Sequence, residues 1–176
     1  MPTDPLRDPR ALIRRIYSYV AYRVGDGAEA EDVTSEVFER AVRYRSSYDP
    51  ARGEPVSWLV GIARRCIDDT ARPGSEPPSA TLNLADPADL EGDTLRRLVV
   101  ARALAHLDRR DRDLLALKYG ADLPTRQIAS ILELTEEATD VALHRARKRL
   151  RDGLAREGEH PSAMDSRRSI TGPGRA

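Results

Sequence analysis

The stretch from Leu123 to Leu154 constrains the fold of this chain more than any other. It reads as a short helix, a break and a longer helix. Thr125 to Leu132 turns Ile128 and Ala129 toward a core, and the break falls at Glu133-Leu134. Thr135 then has the chemistry of an N-cap, because its hydroxyl can accept from the free backbone N–H groups of a helix that starts after it. Two helices joined by a tight turn form a unit whose second member can lie in a DNA major groove. The second helix ends in the basic run Leu143-His144-Arg145-Ala146-Arg147-Lys148-Arg149-Leu150-Arg151.

The rest of the chain has the same helical periodicity. Asp8-Pro9 predicts a helix start, with Asp as cap and Pro in the first turn. The pattern runs to about Val24 and stops at Gly25-Asp26-Gly27. A second helix is predicted from about Ala28 to Tyr44, with Ala30, Val33, Val37, Ala41 and Tyr44 on one face and Asp32, Glu36 and Glu39 on the other. Ser46 to Glu54 is a loop with turn signals at Asp49-Pro50 and Arg52-Gly53. The third helix starts at Pro55 and reaches about Ala71. Its apolar arc is Val56, Leu59, Val60, Ile62, Ala63, Cys66 and Ile67; the opposite arc holds Trp58, Gly61, Arg64, Arg65, Asp68 and Arg72. An indole among arginines can stack on a base while the guanidiniums meet phosphates. The alternative is an indole half-buried against a neighbouring helix.

Pro73 to Asp93 lacks periodicity, carries five acids and no base, and predicts a flexible linker. Thr94 to His106 is helical, with Leu95, Leu98, Val99, Arg102 and Ala103 at helical spacing. Asp108 caps a further helix over Arg109 to Tyr119, closed by Gly120. No segment alternates as a strand does. The predicted fold is all-α, with two small helical domains on a flexible linker. The boundaries are a loose N-terminus over 1–8, a first domain over 9–72, the linker over 73–93, a helix-turn-helix domain over 94–156 and a disordered tail over 157–176.

Aromatic residues make up only 5% of the chain, which favours several small helical cores over one large aromatic one. The net charge is zero, but it is segregated. Residues 142–156 hold six Lys/Arg against one acid, and residues 26–39 hold six acids and no base. Such blocks suit nucleic acid on one surface and a basic protein partner on another; solvated helix faces are the plainer reading of each block alone. Cys66 is the single cysteine, and His106, His144 and His160 have no metal-ligand spacing, so no disulfide framework, metal or cofactor is expected. No apolar run approaches the roughly 20 residues that span a bilayer, and no signal peptide precedes the first helix. The expectation is a cytoplasmic protein without membrane insertion.

Several short motifs, in order, resemble the extracytoplasmic-function (ECF) group of bacterial RNA polymerase sigma factors. Ala30-Glu31-Asp32-Val33-Thr34-Ser35-Glu36-Val37-Phe38 is close to that family's AED-xx-Q-E-VF helix. Trp58-Leu59-Val60-Gly61-Ile62-Ala63-Arg64 is close to its WL-xx-IAR run, and Asp68 stands at the acid that usually follows. Ala103-Leu104-Ala105-His106-Leu107, Ile128-Ala129 and Leu143-His144-Arg145-Ala146-Arg147 match its ALA-x-L, IA and LHRAR pieces. Each motif is weak alone, but their order and spacing over residues 10–155 are specific.

The resemblance implies a transcription initiation factor that binds core RNA polymerase and directs it to promoter DNA. Asp32, Val33, Glu36, Phe38 and Glu39 match the helix that meets the β′ clamp helices. Tyr48, Arg52, Ser57, Trp58, Arg64, Arg65 and Arg72 match the surface that melts and grips the −10 element. Arg126, Thr135, Glu136, Glu137, Asp140, His144, Arg145, Arg147 and Lys148 match the −35 reader, which the β flap holds in place. An anti-sigma factor is a further candidate partner. The second domain departs from the family pattern. Glu133 stands for a usual Gly, and Asp140 and Ala142 replace a usual Lys and Arg. Acids in the first turns suit the helix dipole but repel phosphate, although a carboxylate can accept from cytosine N4. These departures imply −35 recognition that is weak, unusual in sequence or dependent on the flap.

Two other readings compete. A helix-turn-helix regulator that binds duplex DNA without polymerase would account for 123–154 but not for the acidic helix or the Trp helix. A sigma-like interaction protein with degraded −35 recognition would account for the acids at 136, 137 and 140. Nothing supports an enzyme, since no nucleophile–base pair, Gly-rich phosphate loop or metal cluster is present in the sequence.

Overall fold

Seven α-helices make up the regular structure of the computed structural model, which describes residues 4–70 and 92–158. The predicted linker lies outside those residues up to 91, as do Arg72 and the tail from 159. Helix α1 (Pro9–Val24) begins where Asp8 accepts from the Ala11 N–H at 3.3 Å, with Pro9 in the first turn. It stops at Gly25, whose φ of 92° only glycine adopts cheaply, and whose N–H returns to the Ala21 carbonyl. Helix α2 (Ala28–Arg43) carries Glu29 and Glu31 in its first turn, where the helix dipole favours acids. Two short 3₁₀ turns, Arg45–Ser47 and Pro50–Arg52, lead into α3 (Pro55–Thr70). The apolar faces of α1, α2 and α3 meet around Ile16, Tyr19, Val20, Val37, Leu59 and Val60.

Helices α4 (Gly92–Ala105), α5 (Arg109–Leu115), α6 (Thr125–Leu132) and α7 (Glu136–Gly158) build the second unit. Asp108 caps α5 through the Asp111 N–H at 2.7 Å. Thr135 caps α7 through the Ala138 N–H at 3.1 Å, as its position predicts. Glu133 takes the left-handed conformation that ends α6, with φ 56°, a place where glycine would be unstrained.

Four details differ from the sequence reading. Residues 4–8 are tied down rather than loose, with Pro5 buried and Asp4 paired to Arg45 at 3.2 Å. Helix α4 already includes Gly92 and Asp93, and it buries Ala101, Ala103 and Leu104 while Arg102 is exposed. Helix α5 does not run unbroken to Tyr119, because Ala116–Gly120 winds into a π-helical turn. Helix α7 continues to Gly158, past the predicted boundary, as Gly153 packs on Ala103 and Glu157 reaches His106 and Arg102.

The two units are docked on each other, with α1 against α5 and the π-helical turn, and α3 against α6. The largest buried side chains of both halves form one contiguous core. At the centre of the seam Tyr19 donates to Asp113 Oδ1 at 2.8 Å, Arg23 bonds both Asp113 and the Tyr19 oxygen, and Arg64 stands 3.4 Å from Asp113 Oδ2. Asp113 is 6% exposed and Arg23 8% exposed. A buried carboxylate survives only because it is paired; removing one partner of such a pair costs about 3–5 kcal/mol.

Candidate nucleic-acid interface

The acidic face of α2 is partly neutralised by the chain itself. Asp32 and Glu39 are exposed, but Glu36 accepts from Arg40 at 2.6 Å one turn on, and Arg40 also reaches Asp69 at 2.9 Å. The bond to Glu36, and then that to Asp69, raise the Arg40 pKa further. Phe38 is half-buried against the core. Val33 is 3% exposed and faces inward, so it is a core residue rather than a contact for a partner. Its place on the Ala30–Val37–Ala41 face already marked it so. Of the acids expected here, Asp32 and Glu39 are therefore the ones without an ion pair among the described residues, one turn either side of Glu36.

The loop before α3 folds back on that helix. The rings of Tyr48 and Trp58 are tilted at 59° with centroids 5.6 Å apart, a favourable edge-on aromatic contact. The Tyr48 hydroxyl donates to the Gly53 carbonyl at 3.1 Å and pins the loop. Tyr48, Arg52, Ser57 and Trp58 line one pocket of about 250 Å³, and its far wall is Gln127, Ser130 and Ile131 of α6. Trp58 is half-buried, one side against the core and the other on the pocket. Ser57 donates to Gln127 at 2.9 Å. Arg64 donates to the Ile131 carbonyl at 3.2 Å in addition to its pairing with Asp113. Arg65 is exposed on α3 outside this pocket. Four of the seven residues predicted for this surface therefore share one cavity, while Arg64 is turned to the second unit and Arg72 lies outside the described residues.

On α7, Thr139, Leu143 and Ala146 are buried and set the helix's inner face. The spacing of 137, 141, 144 and 148 then places Glu137, Val141, His144 and Lys148 on one outward stripe. Val141 is 50% exposed, an apolar side chain absent from the residues expected on this surface, though its spacing from Glu137 was legible. Glu136, Asp140, Arg145 and Arg147 are exposed on the flanks, and Arg126 is exposed on α6. Beside the stripe lies a groove of about 640 Å³ between α5 and α7, where Arg110 joins Arg145 and Arg149. Arg149 bonds the buried Asp111, which spends one cation of the basic run on holding α7 to α5. The sequence held no local signal for Arg110, Gln127 or Asp113, because each matters through residues distant in the chain. Among the described residues, no group of His, Cys, Asp or Glu is placed to hold a metal, and no helix is long and apolar enough to cross a membrane.

Comparison with known proteins fits this geometry. The family model for Sigma-70 region 2 matches residues 10–74, and that for Sigma-70, region 4 matches residues 97–150. The chain is 31% identical over 156 residues to the ECF RNA polymerase sigma factor SigL of Mycobacterium tuberculosis, covering 80% of this chain and 88% of that one. It is 27% identical over 147 residues to the RNA polymerase sigma factor CarQ of Myxococcus xanthus, covering 80% and 83%. Its fold is similar to that of the sigma factor RpoE of Bartonella quintana, solved with the anti-sigma factor NepR, at a TM-score of 0.65 and 18% identity over 85% of this chain and 95% of that one. It is also similar to CnrH, solved with the cytosolic domain of CnrY, at 0.58 and 22% identity over 85% and 84%. Two region models in order and a relative at this level of identity along most of both chains make this protein a member of the ECF RNA polymerase sigma factor family.

Proposed function

We propose that this sigma factor binds core RNA polymerase through α2, holds the −10 element in the Tyr48–Trp58 pocket and contacts the −35 element with α7. The observation that carries the reading is the pocket itself. A loop pinned by Tyr48 presents two aromatic rings and Arg52 in one cavity at the head of α3, which carries Arg64 and Arg65 further along. An aromatic platform stacks on a base without regard to its identity, and neighbouring cations meet the backbone, which is the chemistry of single-strand capture.

Asp32 and Glu39, with Glu36 when Arg40 swings away, offer anions to the clamp helices of the β′ subunit. Phe38 adds an apolar contact beside them. Residues 9–72 serve as the polymerase and −10 unit, and residues 94–156 as the −35 unit held by the β flap. The factor works in the cytoplasm as a binding protein, with the polymerase supplying all catalysis. An anti-sigma factor is a further partner, as it is for the RpoE protein named above.

A variant of this reading has a specific observation in its favour. Glu136, Glu137 and Asp140 are all exposed at the entering end of α7, so phosphate repulsion makes −35 contact weak outside the holoenzyme.

The test is multi-round transcription from a pool of random-sequence templates by core polymerase, with and without the full chain, followed by sequencing of RNA 5′ ends. Start sites that appear only with the chain and share an upstream hexamer are expected. Glu36→Lys is expected to lose them together with core binding. Binding to core without any new start site would contradict the reading.

A further inference from the structure

Side chains are sorted around α7 by their angle on the helix. Thr139, Leu143 and Ala146 are buried and point inward. At about 100° per residue, the side opposite them holds Glu137, Val141, His144 and Lys148, all exposed. One flank faces α5, where Arg145 shares a groove with Arg110. The other flank carries Asp140 and Arg147.

The outward side is where a helix in a major groove meets base edges, and its N-terminal residues make those contacts. Glu137 and Val141 come first on that side. Neither suits a surface built only to hold phosphate, since one is an anion and the other is apolar. Neither is used by the fold. Glu137 has no ion pair among the described residues, and Val141 is 50% exposed. The helix dipole favours an acid in the first turn, but Glu136 already supplies one.

The major groove offers each side chain a specific partner. A carboxylate only accepts, and cytosine presents its N4 amino group there with no acceptor of its own beside it. Adenine also presents an amino group, but its N7 acceptor lies next to it and repels a carboxylate. An exposed valine suits the C5 methyl group of thymine. From 137 to 141 the helix rises about 6 Å. Stacked base pairs are about 3.4 Å apart, so the two side chains address base pairs about one to two steps apart. Arg110 and Arg145 on the α5 flank supply cations for the neighbouring phosphates and offset the charge of Glu137.

Taking α7 as the −35 contact proposed above, we infer that Glu137 and Val141 set the base preference of the upstream element. Glu137 accepts from the N4 amino group of a cytosine, and Val141 packs on the methyl group of a thymine about one to two base pairs away. On this assignment the acid is a selector. Its charge weakens every duplex contact, and weakens least the one in which a cytosine amino group meets it.

The test is transcription by core polymerase with the full chain, from templates built on one responsive start site with the upstream hexamer randomised. The wild type is expected to enrich a cytosine on one strand about tenfold over other bases, with a thymine about one to two positions away. Glu137→Gln is expected to change the enriched cytosine to adenine and leave the other positions alone, because a glutamine amide pairs with adenine N6 and N7. Val141→Ser is expected to lose the thymine alone. Both variants change exposed positions, and circular dichroism checks their helical content. On the selected template, uracil in place of that thymine removes only the methyl group. Holoenzyme binding, read by anisotropy, is expected to weaken about fourfold for the wild type, the worth of one buried methyl group, and to stay unchanged for Val141→Ser. A cytosine still enriched with Glu137→Gln, or a loss spread evenly over the element, would overturn the role of Glu137. A uracil template bound as tightly as the thymine one would overturn that of Val141. In either case α7 would still be the DNA contact. Absence of any upstream enrichment with the wild type would contradict that contact itself, and the base assignment with it.

Discussion

The Tyr48–Trp58 pocket and the outer stripe of α7 are both candidate DNA surfaces, yet they are in opposite states. The pocket is walled by α6, and two of its polar neighbours are already bonded to the second unit. On α7, Glu137, Val141, His144 and Lys148 are exposed. The first surface is chemically suited to a nucleic acid and sterically covered; the second is sterically open and carries acids where phosphate would approach. On the proposed reading neither half is a ready DNA binder in the free chain, one for reasons of space and the other for reasons of charge. Both obstacles are expected to be met by the same event, the seating of the chain on polymerase, which would separate the halves and hold α7 on DNA.

The largest effect that would sharpen this contrast is at Trp58. In a chain opened by Asp113→Ala, Trp58→Ala is expected to cost about 1–3 kcal/mol in single-strand binding, the worth of one stacked base. In the otherwise unaltered chain the loss should be much smaller, because the pocket is covered. Permanganate reactivity of the −10 region in the holoenzyme should fall as well, with core binding intact. An equal loss in the two backgrounds would mean that α6 does not shield the pocket.

A smaller effect is expected on α7. Each phosphate neutralised contributes a slope of about −0.9 to the salt dependence of duplex binding, so roughly two to four contacts predict a shallow dependence. Asp140→Lys should tighten non-specific duplex binding, and Glu137→Lys should do so more, because 137 lies on the outward stripe with Val141 and Lys148 while 140 lies on its flank. A fluorescence titration at several salt concentrations reads both. The reverse order would mean that α7 meets DNA with a different face.

The smallest effect separates the halves by pH. The Tyr17 hydroxyl, bonded to Asp26 in the first unit, is pushed up to about 12 by burial, by that bond and by the Asp26 charge. A folded-state pKa above the unfolded value favours the protonated form. Its contribution to stability is thus complete below about pH 10 and lost as pH rises toward about 12. Tyr19, at the seam, is shifted upward more strongly, by burial first and then by Asp113. Thermal denaturation from neutral to alkaline pH should show a decline that Tyr17→Phe reduces slightly, and scattering should show the seam loosening over the same range. A Tyr17→Phe curve identical to that of the wild type would remove Tyr17 from the account.

What the sequence made legible was local. Helix starts at Asp8, Asp108 and Thr135 could be read from cap chemistry, because the capping oxygen and the N–H it receives lie three residues apart. The inward face of α2 followed from its period from Ala30 to Ala41, a face that includes Val33, but Tyr44 at its expected end is 52% exposed, because the helix stops at Arg43. The π-helical turn was not legible, since Ala116-Leu117-Lys118-Tyr119-Gly120 has ordinary helical composition and its geometry is tied to the close approach at Tyr19. The docking was illegible for the same kind of reason. Gly120 looked like a helix stop and Asp113 like one more acid on a charged helix. Only the fold puts them 101 and 94 residues along the chain from their shared neighbour Tyr19.

The central claim is that one face of α3 is covered by α6 in the free chain and by DNA in the working complex. A spin-label pair at Gly61→Cys and Ser130→Cys measures this directly. A side chain at 61 meets open space, Ser130 is exposed, and the buried Cys66 is shielded from labelling. One short, narrow distance is expected in the free chain, replaced by a longer one when the chain is bound to core polymerase and melted promoter. A broad distribution in the free chain, or the same short distance in the promoter complex, would contradict it.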